Sequence, residues 1–201
     1  LLLLAGSLSS CVELVEEINI RSDQSGQYHL YLNYSGLSSF LTLIPTNFSA
    51  PILEEDVQKL EKQAGIHNLS SQIELQNARF SIQFDFDNIK QLNNAFYALF
   101  DTRKHFYQKS FIKANKHKIK RPNLSPYLLK YIEENRLQEQ IPKNALNYVD
   151  YRLIIHTPKE IRSAKPKTTP TDSNPYTYTQ VYPLKTLLTD NLSTKVSIRL
   201  K

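Results

Sequence analysis

Arg79-Phe80-Ser81-Ile82-Gln83-Phe84-Asp85-Phe86 alternates without a break, with Phe80, Ile82, Phe84 and Phe86 on one side and Arg79, Ser81, Gln83 and Asp85 on the other. Successive side chains of a strand point to opposite faces, so this octet reads as a strand with one buried and one solvated face. Asp87 stands where a helix cap is needed. Ile89, Leu92, Phe96, Leu99 and Phe100 then recur at the spacing of an apolar helical stripe. A strand that hands over directly to an amphipathic helix points to sheet and helices sharing one core.

The same two periods organise the chain on either side. Upstream, Val12, Leu14, Ile18 and Ile20 share one face of a strand, and Tyr28, Leu30, Leu32 and Tyr34 share one face of the next. The polar run Arg21-Ser22-Asp23-Gln24-Ser25-Gly26 joins them as a hairpin. Glu16 falls on the apolar face of the first strand, which predicts a bulge or an exposed end there. Leu37, Phe40, Leu41 and Ile44 have helical spacing until Pro45 stops them. Leu53, Val57, Leu60 and Ala64 repeat that spacing, with acids at Glu54, Glu55 and Asp56 near the positive helix start and Gly65 at its stop. Ile73 and Leu75 suggest a short strand.

Downstream, Tyr107, Phe111 and Ile112 hint at a ribbon, and Ser125-Pro126 opens a helix to about residue 140. Val149, Tyr151, Leu153 and Ile155 alternate as a strand that Thr157-Pro158 closes. Residues 165–175 have loop composition. A strand over 177–182, a short helix over 183–188 and a last strand with Val196, Ile198 and Leu200 inward complete the chain. No internal repeat or second domain boundary is visible. The fold class is α+β: a mainly antiparallel sheet with an N-terminal hairpin, packed by three to four helices. At 201 residues, 40% hydrophobic and 22% charged, the chain can bury one ordinary core.

Residues 1–8, Leu-Leu-Leu-Leu-Ala-Gly-Ser-Leu, are apolar and uncharged but shorter than the roughly 20 residues that span a bilayer. They read as the end of a signal peptide whose basic start and methionine lie further upstream. Leu8-Ser9-Ser10-Cys11 follows and resembles the bacterial lipobox, in which small residues precede a cysteine that is lipidated and becomes the mature N-terminus. Cys11 is the sole cysteine, so no internal disulfide forms. The expectation is residues 1–10 as a cleaved signal-peptide remnant and residues 11–201 as one globular domain anchored by lipidated Cys11. By resemblance to Gram-negative sorting rules, Val12 rather than Asp after the cysteine favours the outer membrane, with the domain facing the periplasm.

Several segments resemble LppM-type bacterial lipoproteins. These are Cys11-Val12-Glu13-Leu14 with the Asp23 to Gly26 turn, the run Ile154-Ile155-His156-Thr157-Pro158-Lys159-Glu160-Ile161, and Val181-Tyr182-Pro183-Leu184 with Leu187 and Leu188. They cover about a third of the chain, and Tyr182 stands where the family carries Trp. The resemblance, shared with uncharacterised Bacteroidota-type envelope lipoproteins, implies an α/β domain that binds envelope glycolipids.

The sequence carries little recognisable chemistry. GxSxG, Walker, HExxH and CxxC patterns are missing, so no catalytic residue, metal ligand or cofactor is assigned. His29, His67, His105, His117 and His156 are scattered. His156 shares a strand face with Asp150 and Arg152, a trio more ordinary at strand ends than in active sites. Glu13, Glu16 and Glu17 read as the solvated edge of a strand, and Asp85 with Asp87 as a solvated face plus a cap. The N-x-S/T triplets at Asn33, Asn47, Asn68, Asn123 and Asn191 are coincidental in a bacterial lipoprotein.

Charge is the strongest signal. Residues 1–102 hold 5 Lys/Arg and 12 Asp/Glu, whereas residues 103–201 hold 20 and 7. Residues 103–121 carry eight cations and no acid, and Lys113, Lys116, Lys118, Lys120 and Arg121 are the candidates for contact with an anionic surface. For an envelope protein the partner would be the membrane holding the Cys11 anchor and an envelope lipid or glycolipid, not nucleic acid. That reading expects a non-enzymatic binder with an apolar pocket between sheet and helices. The alternative is an interaction module for another envelope protein, with an exposed patch drawn from Tyr28, Tyr31, Tyr34, Tyr176, Tyr178 and Tyr182.

Overall fold

The computed structural model describes residues 12–34, 51–74, 79–100, 110–134, 145–167, 174–189 and 192–201. The residues through Cys11 expected to form a signal-peptide remnant and lipobox, the expected helix over 37–44, Leu75, Tyr107 and the end of the expected helix near residue 140 lie outside them.

β1 (Val12–Ile20) and β2 (Gly26–Tyr34) form the expected hairpin. Asp23 Oδ1 accepts from the Ser25 amide at 3.0 Å and closes the turn. Gly26 is required just beyond it, because a Cβ there would sit 1.9 Å from the Asn19 carbonyl oxygen. α1 (Pro51–Glu61) follows and ends before Gly65, whose φ of +76° suits glycine.

β3 (Ile66–Glu74) is longer than Ile73 alone suggests. A register shift between His67 and Ser70, with Asn68 at φ +51°, breaks the alternation that would reveal it. β4 (Arg79–Phe86) is the octet read first. It leads into α2 (Ile89–Leu99), whose cap is Asn88 rather than Asp87: Asn88 Oδ1 accepts from the amides of Lys90 and Gln91. Asp87 instead contacts His67 Nε2 at 2.9 Å.

β5 (Lys113–Asn115) and β6 (Lys118–Arg121) make a short hairpin, and α3 (Ser125–Glu134) follows. A 3-10 turn (Ala145–Tyr148) precedes β7 (Val149–His156) and β8 (Ile161–Lys165). β9 (Thr177–Pro183), α4 (Leu184–Thr189) and β10 (Val196–Leu200) complete the described residues.

The strands form two sheets. Sheet A has the order β3-β4-β2-β1-β7-β9, and sheet B the order β5-β6-β10-β8. Every pair is antiparallel except β1 with β7, which run parallel with Val12 opposite Val149. The α+β expectation therefore stands, with two sheets in place of one. β1 lies between β2 and β7, so its glutamates do not sit on a sheet edge.

One contiguous core joins both sheets. Ile18, Tyr28, Phe84, Leu153 and Tyr178 come from sheet A, and Ile119, Val196 and Ile198 come from sheet B. Leu60 of α1, Leu92 and Phe96 of α2 and Leu187 of α4 close it. Phe111 and Ile112, at the start of the β5 hairpin, are each 1% exposed and plug the space beside α2. Buried Asn93 ties that segment down: its side chain donates to the Ile112 carbonyl and accepts from the Ile112 amide.

Candidate anion-binding face

Sheet B is held in place by a buried charge. Glu16 does lie on the inward face of β1, as the alternation required, yet it neither bulges out nor reaches solvent. Its carboxylate meets Arg121 of β6 at 2.6 Å in an ion pair whose side chains are only 5% and 3% exposed. The Tyr151 hydroxyl donates to the same carboxylate oxygen, and Arg121 Nη2 donates to the Tyr151 hydroxyl at 3.2 Å. Burial opposes the Arg121 charge, but the adjoining carboxylate outweighs it and raises the guanidinium pKa. Burial, reinforced by Glu16, likewise pushes the Tyr28 phenol well above its ordinary range. Arg121 is thus removed from the surface set that sequence charge assigned to it.

With Arg121 turned inward, strand alternation sends its neighbours out. Lys118 and Lys120 leave β6 on the outer face of sheet B. The register then aligns one row across all four strands: Lys113 pairs with Lys120, Lys120 with Ser197, and Ser197 with Lys165. Neighbouring strands lie about 4.8 Å apart, so this row spans roughly 14 Å. A second row holds Asn115, Lys118, Arg199 and Ser163. The four strands contain no Asp or Glu.

Cations are packed here against ordinary sheet preference. Lys113 and Lys120 are direct cross-strand partners, as are Lys118 and Arg199, and like charges in such positions are destabilising. The charge of Lys120 first, then desolvation and Arg199, holds the Lys118 ammonium below its ordinary pKa.

A groove of about 950 Å³ opens at one end of this face. Lys113, Lys118, Lys120, Lys165 and Lys195 line it together with Ser197, while Pro122 and Pro166 mark the strand ends. Four of the five sequence candidates therefore border the groove, Arg121 only at the strand end from which its side chain turns inward, and Lys116 is exposed in the β5–β6 turn beside them. Ser197, Lys165, Lys195 and Arg199 were missed. The inward set Val196, Ile198 and Leu200 already implies that Ser197 and Arg199 point out, but nothing in the sequence pairs β10 with β6 and β8.

The outer face of sheet A is polar and internally paired. Arg152 makes an ion pair with Glu13, and His156 Nε2 meets Glu17 at 2.7 Å while its Nδ1 meets Thr177 Oγ1 at 3.1 Å. Glu13 and Glu17 are thus cross-strand partners inside a sheet, not a solvated edge. His156 and Arg152 engage these glutamates, and Asp150 adds its charge beside Arg152, as an ordinary polar strand face does. Asp85 receives Gln27 and Asn68. His29 contacts Ser81 Oγ at 2.9 Å and stacks on Tyr31, and burial lowers its pKa while Glu17 pulls it up.

The tyrosine patch does not assemble. Tyr28, Tyr178 and Tyr182 belong to the core, Tyr31 is half-buried and Tyr176 is exposed. The side chain of Tyr34 lies outside the described residues. The groove described above lies on the outer side of sheet B, and a smaller cavity of about 350 Å³ lies between α2 and β5, lined by Ile89, Asn93, Tyr97, Ile112 and Ala114. Among the described residues, no helix is long and apolar enough to cross a membrane, and no three His, Cys, Asp or Glu cluster in a way that could hold a metal ion.

No protein-family model and no curated protein sequence matches the chain. Among solved structures, it is similar to the NMR structure of the folded domain of LppM from Mycobacterium tuberculosis. The two share 10% identity over 96% of this chain and 91% of that one, with a TM-score of 0.44.

Proposed function

We propose that the chain is a lipid-anchored protein of a bacterial cell envelope, held through lipidated Cys11 on the periplasmic side of the outer membrane. It acts there without catalysis, binding anionic lipid or glycolipid headgroups on the outer face of sheet B. The observation that carries this reading is the aligned row Lys113, Lys120, Ser197 and Lys165, on strands without a single acid. Each lysine near an anionic surface contributes about 1 kcal/mol. The lipobox-like run ending at Cys11 supplies the anchor in this reading. Val12, the next residue, is fully buried in β1, so an acyl group on Cys11 would hold the domain close to its bilayer with no linker.

The test uses the Cys11→Ser chain, which isolates the sheet from the anchor. It is sedimented with phosphatidylcholine vesicles, with and without phosphatidylglycerol. Binding is expected only to the anionic vesicles and should fall as salt rises. Replacing Lys113, Lys120 and Lys165 by Gln should weaken it about a hundredfold, from about 1 kcal/mol per lysine. Equal binding to both vesicles, or full binding by the triple variant, contradicts the reading. Labelled fatty acid should enter the parent chain in cells but not the Cys11→Ser chain.

A further inference from the structure

We propose that the sheet B groove selects phosphomonoesters over phosphodiesters, seating a phosphate on Ser197 between Lys120 and Lys165. This rests on the anionic-surface reading above and makes it more specific. A flat cationic face would attract any negative surface in proportion to its charge. The groove has more structure than that.

Ser197 is the one neutral member of its row and stands directly opposite both Lys120 and Lys165. Half-buried Ser197 lines the groove with a hydroxyl that can donate to a bound oxygen, while two long side chains on either side can converge above it. Lys113, beyond Lys120, and Lys195, one residue before β10, bring further ammonium groups to the same groove. An ammonium is a compact charge with three donors, suited to a phosphate oxygen without fixing its plane.

Two differences separate the ligand classes. A phosphomonoester carries a charge of about −1.5 to −2 near neutral pH and three terminal acceptor oxygens. A phosphodiester carries a single charge and two such oxygens. Three oxygens can take the Ser197 hydroxyl and the two flanking ammonium groups together. A diester brings the same three donors onto two oxygens that carry about half the charge, so each contact is weaker.

The crowding of Lys113 on Lys120 and of Lys118 on Arg199 points the same way. In the free protein these pairs repel with no carboxylate on their strands to offset them. A dianion relieves that repulsion more than a monoanion does.

The experiment compares the Cys11→Ser chain on three probes: phosphatidic acid vesicles, phosphatidylglycerol vesicles matched in surface potential, and glycerol 3-phosphate in solution. Phosphatidic acid should bind about tenfold tighter than phosphatidylglycerol, the equivalent of one charge-assisted hydrogen bond. Ser197→Ala should bring phosphatidic acid binding down to the level of phosphatidylglycerol binding, a selective loss of preference that misfolding would not produce. Preference on vesicles without binding of glycerol 3-phosphate assigns the ligand to a lipid headgroup. Saturable binding of glycerol 3-phosphate that Ser197→Ala abolishes assigns a soluble phosphomonoester and supports the site even if no vesicle binds. Equal binding of both vesicles, or a diester preference, with no saturable glycerol 3-phosphate binding overturns this inference alone. Failure of all three probes overturns it together with the anionic-surface reading.

Discussion

Arg121 Nη2 donates to Glu16 Oε2 at 2.6 Å inside the core, joining the two sheets through residues 105 positions apart. The contact decides which way β6 faces. By drawing Arg121 inward it turns Lys118 and Lys120 outward, so a buried pair fixes the orientation of the exposed cations. The arrangement carries a stability cost: among the described residues, Glu16 Oε1 and Arg121 Nε and Nη1 are buried without a hydrogen-bond partner. Glu16→Ala would leave Arg121 as an uncompensated buried cation and should destabilise the fold by about 3–5 kcal/mol in urea denaturation. The double variant Glu16→Leu, Arg121→Met should recover most of that loss. A single variant within about 1 kcal/mol of the parent would remove the structural role assigned to the pair.

Asn93 is the second internal tether. It is 7% exposed and bonds both the amide and the carbonyl of Ile112, the residue that precedes β5. Asn93→Leu strands both backbone groups at a cost of about 1–3 kcal/mol each. Hydrogen exchange at the Ile112 amide should accelerate beyond the global change. Unchanged exchange at that amide would show that another group satisfies it.

Gly26 leaves no room for a side chain, since the nearest atom to an added Cβ is the Asn19 backbone oxygen, which cannot swing aside. Gly26→Ala must therefore open the β1–β2 hairpin and should cost at least about 1–3 kcal/mol. At Gly65 the closest side-chain atom belongs to the flexible Gln91, so strain at Gly65→Ala comes mainly from its φ of +76°. A lowered melting temperature for both variants, with the larger drop at Gly26, is the expected result.

His29 gives the fold a pH dependence of definite sign. Its folded pKa lies below the ordinary value of about 6.5, because burial disfavours the charged ring. The unfolded chain therefore takes up the proton first as pH falls. The stability tied to neutral His29 is full above the unfolded value and is lost as pH drops through it toward the folded one. His29→Gln keeps a group that can bond Ser81 but cannot titrate. Its unfolding midpoint should fall less than the parent's between about pH 7 and pH 5. Parallel curves would contradict this assignment.

Local patterns were legible where one period ran unbroken. β4, α2, β7 and the first hairpin follow directly from apolar spacing, because each has one face in the core. Asn88 took the cap from Asp87 because either side chain could cap, and His67 engaged Asp87 from β3. β3 was hidden by its bulge, and β8 by its exposed, polar composition. The parallel pairing of β1 with β7 and the separate second sheet were illegible, since register over such separations leaves no trace in a single sequence. Glu16 shows the limit most clearly. Alternation placed it inward correctly, but only its distant partner Arg121 makes that position tenable. The basic stretch was visible as composition. Its division into an outward set and one inward arginine, and its completion by Ser197, Lys165 and Lys195, came from pairing alone.

Contact between the outer face of sheet B and an anionic surface would shield the lysines of that face. Lysine acetylation followed by mass spectrometry, with and without phosphatidylglycerol vesicles, tests it most directly on the Cys11→Ser chain. Acetylation should slow at Lys113, Lys120, Lys165 and Lys195, with Lys62 after α1 and Lys90 in α2 unchanged. Uniform protection of all lysines, or protection centred on Lys62 and Lys90 instead, would contradict it.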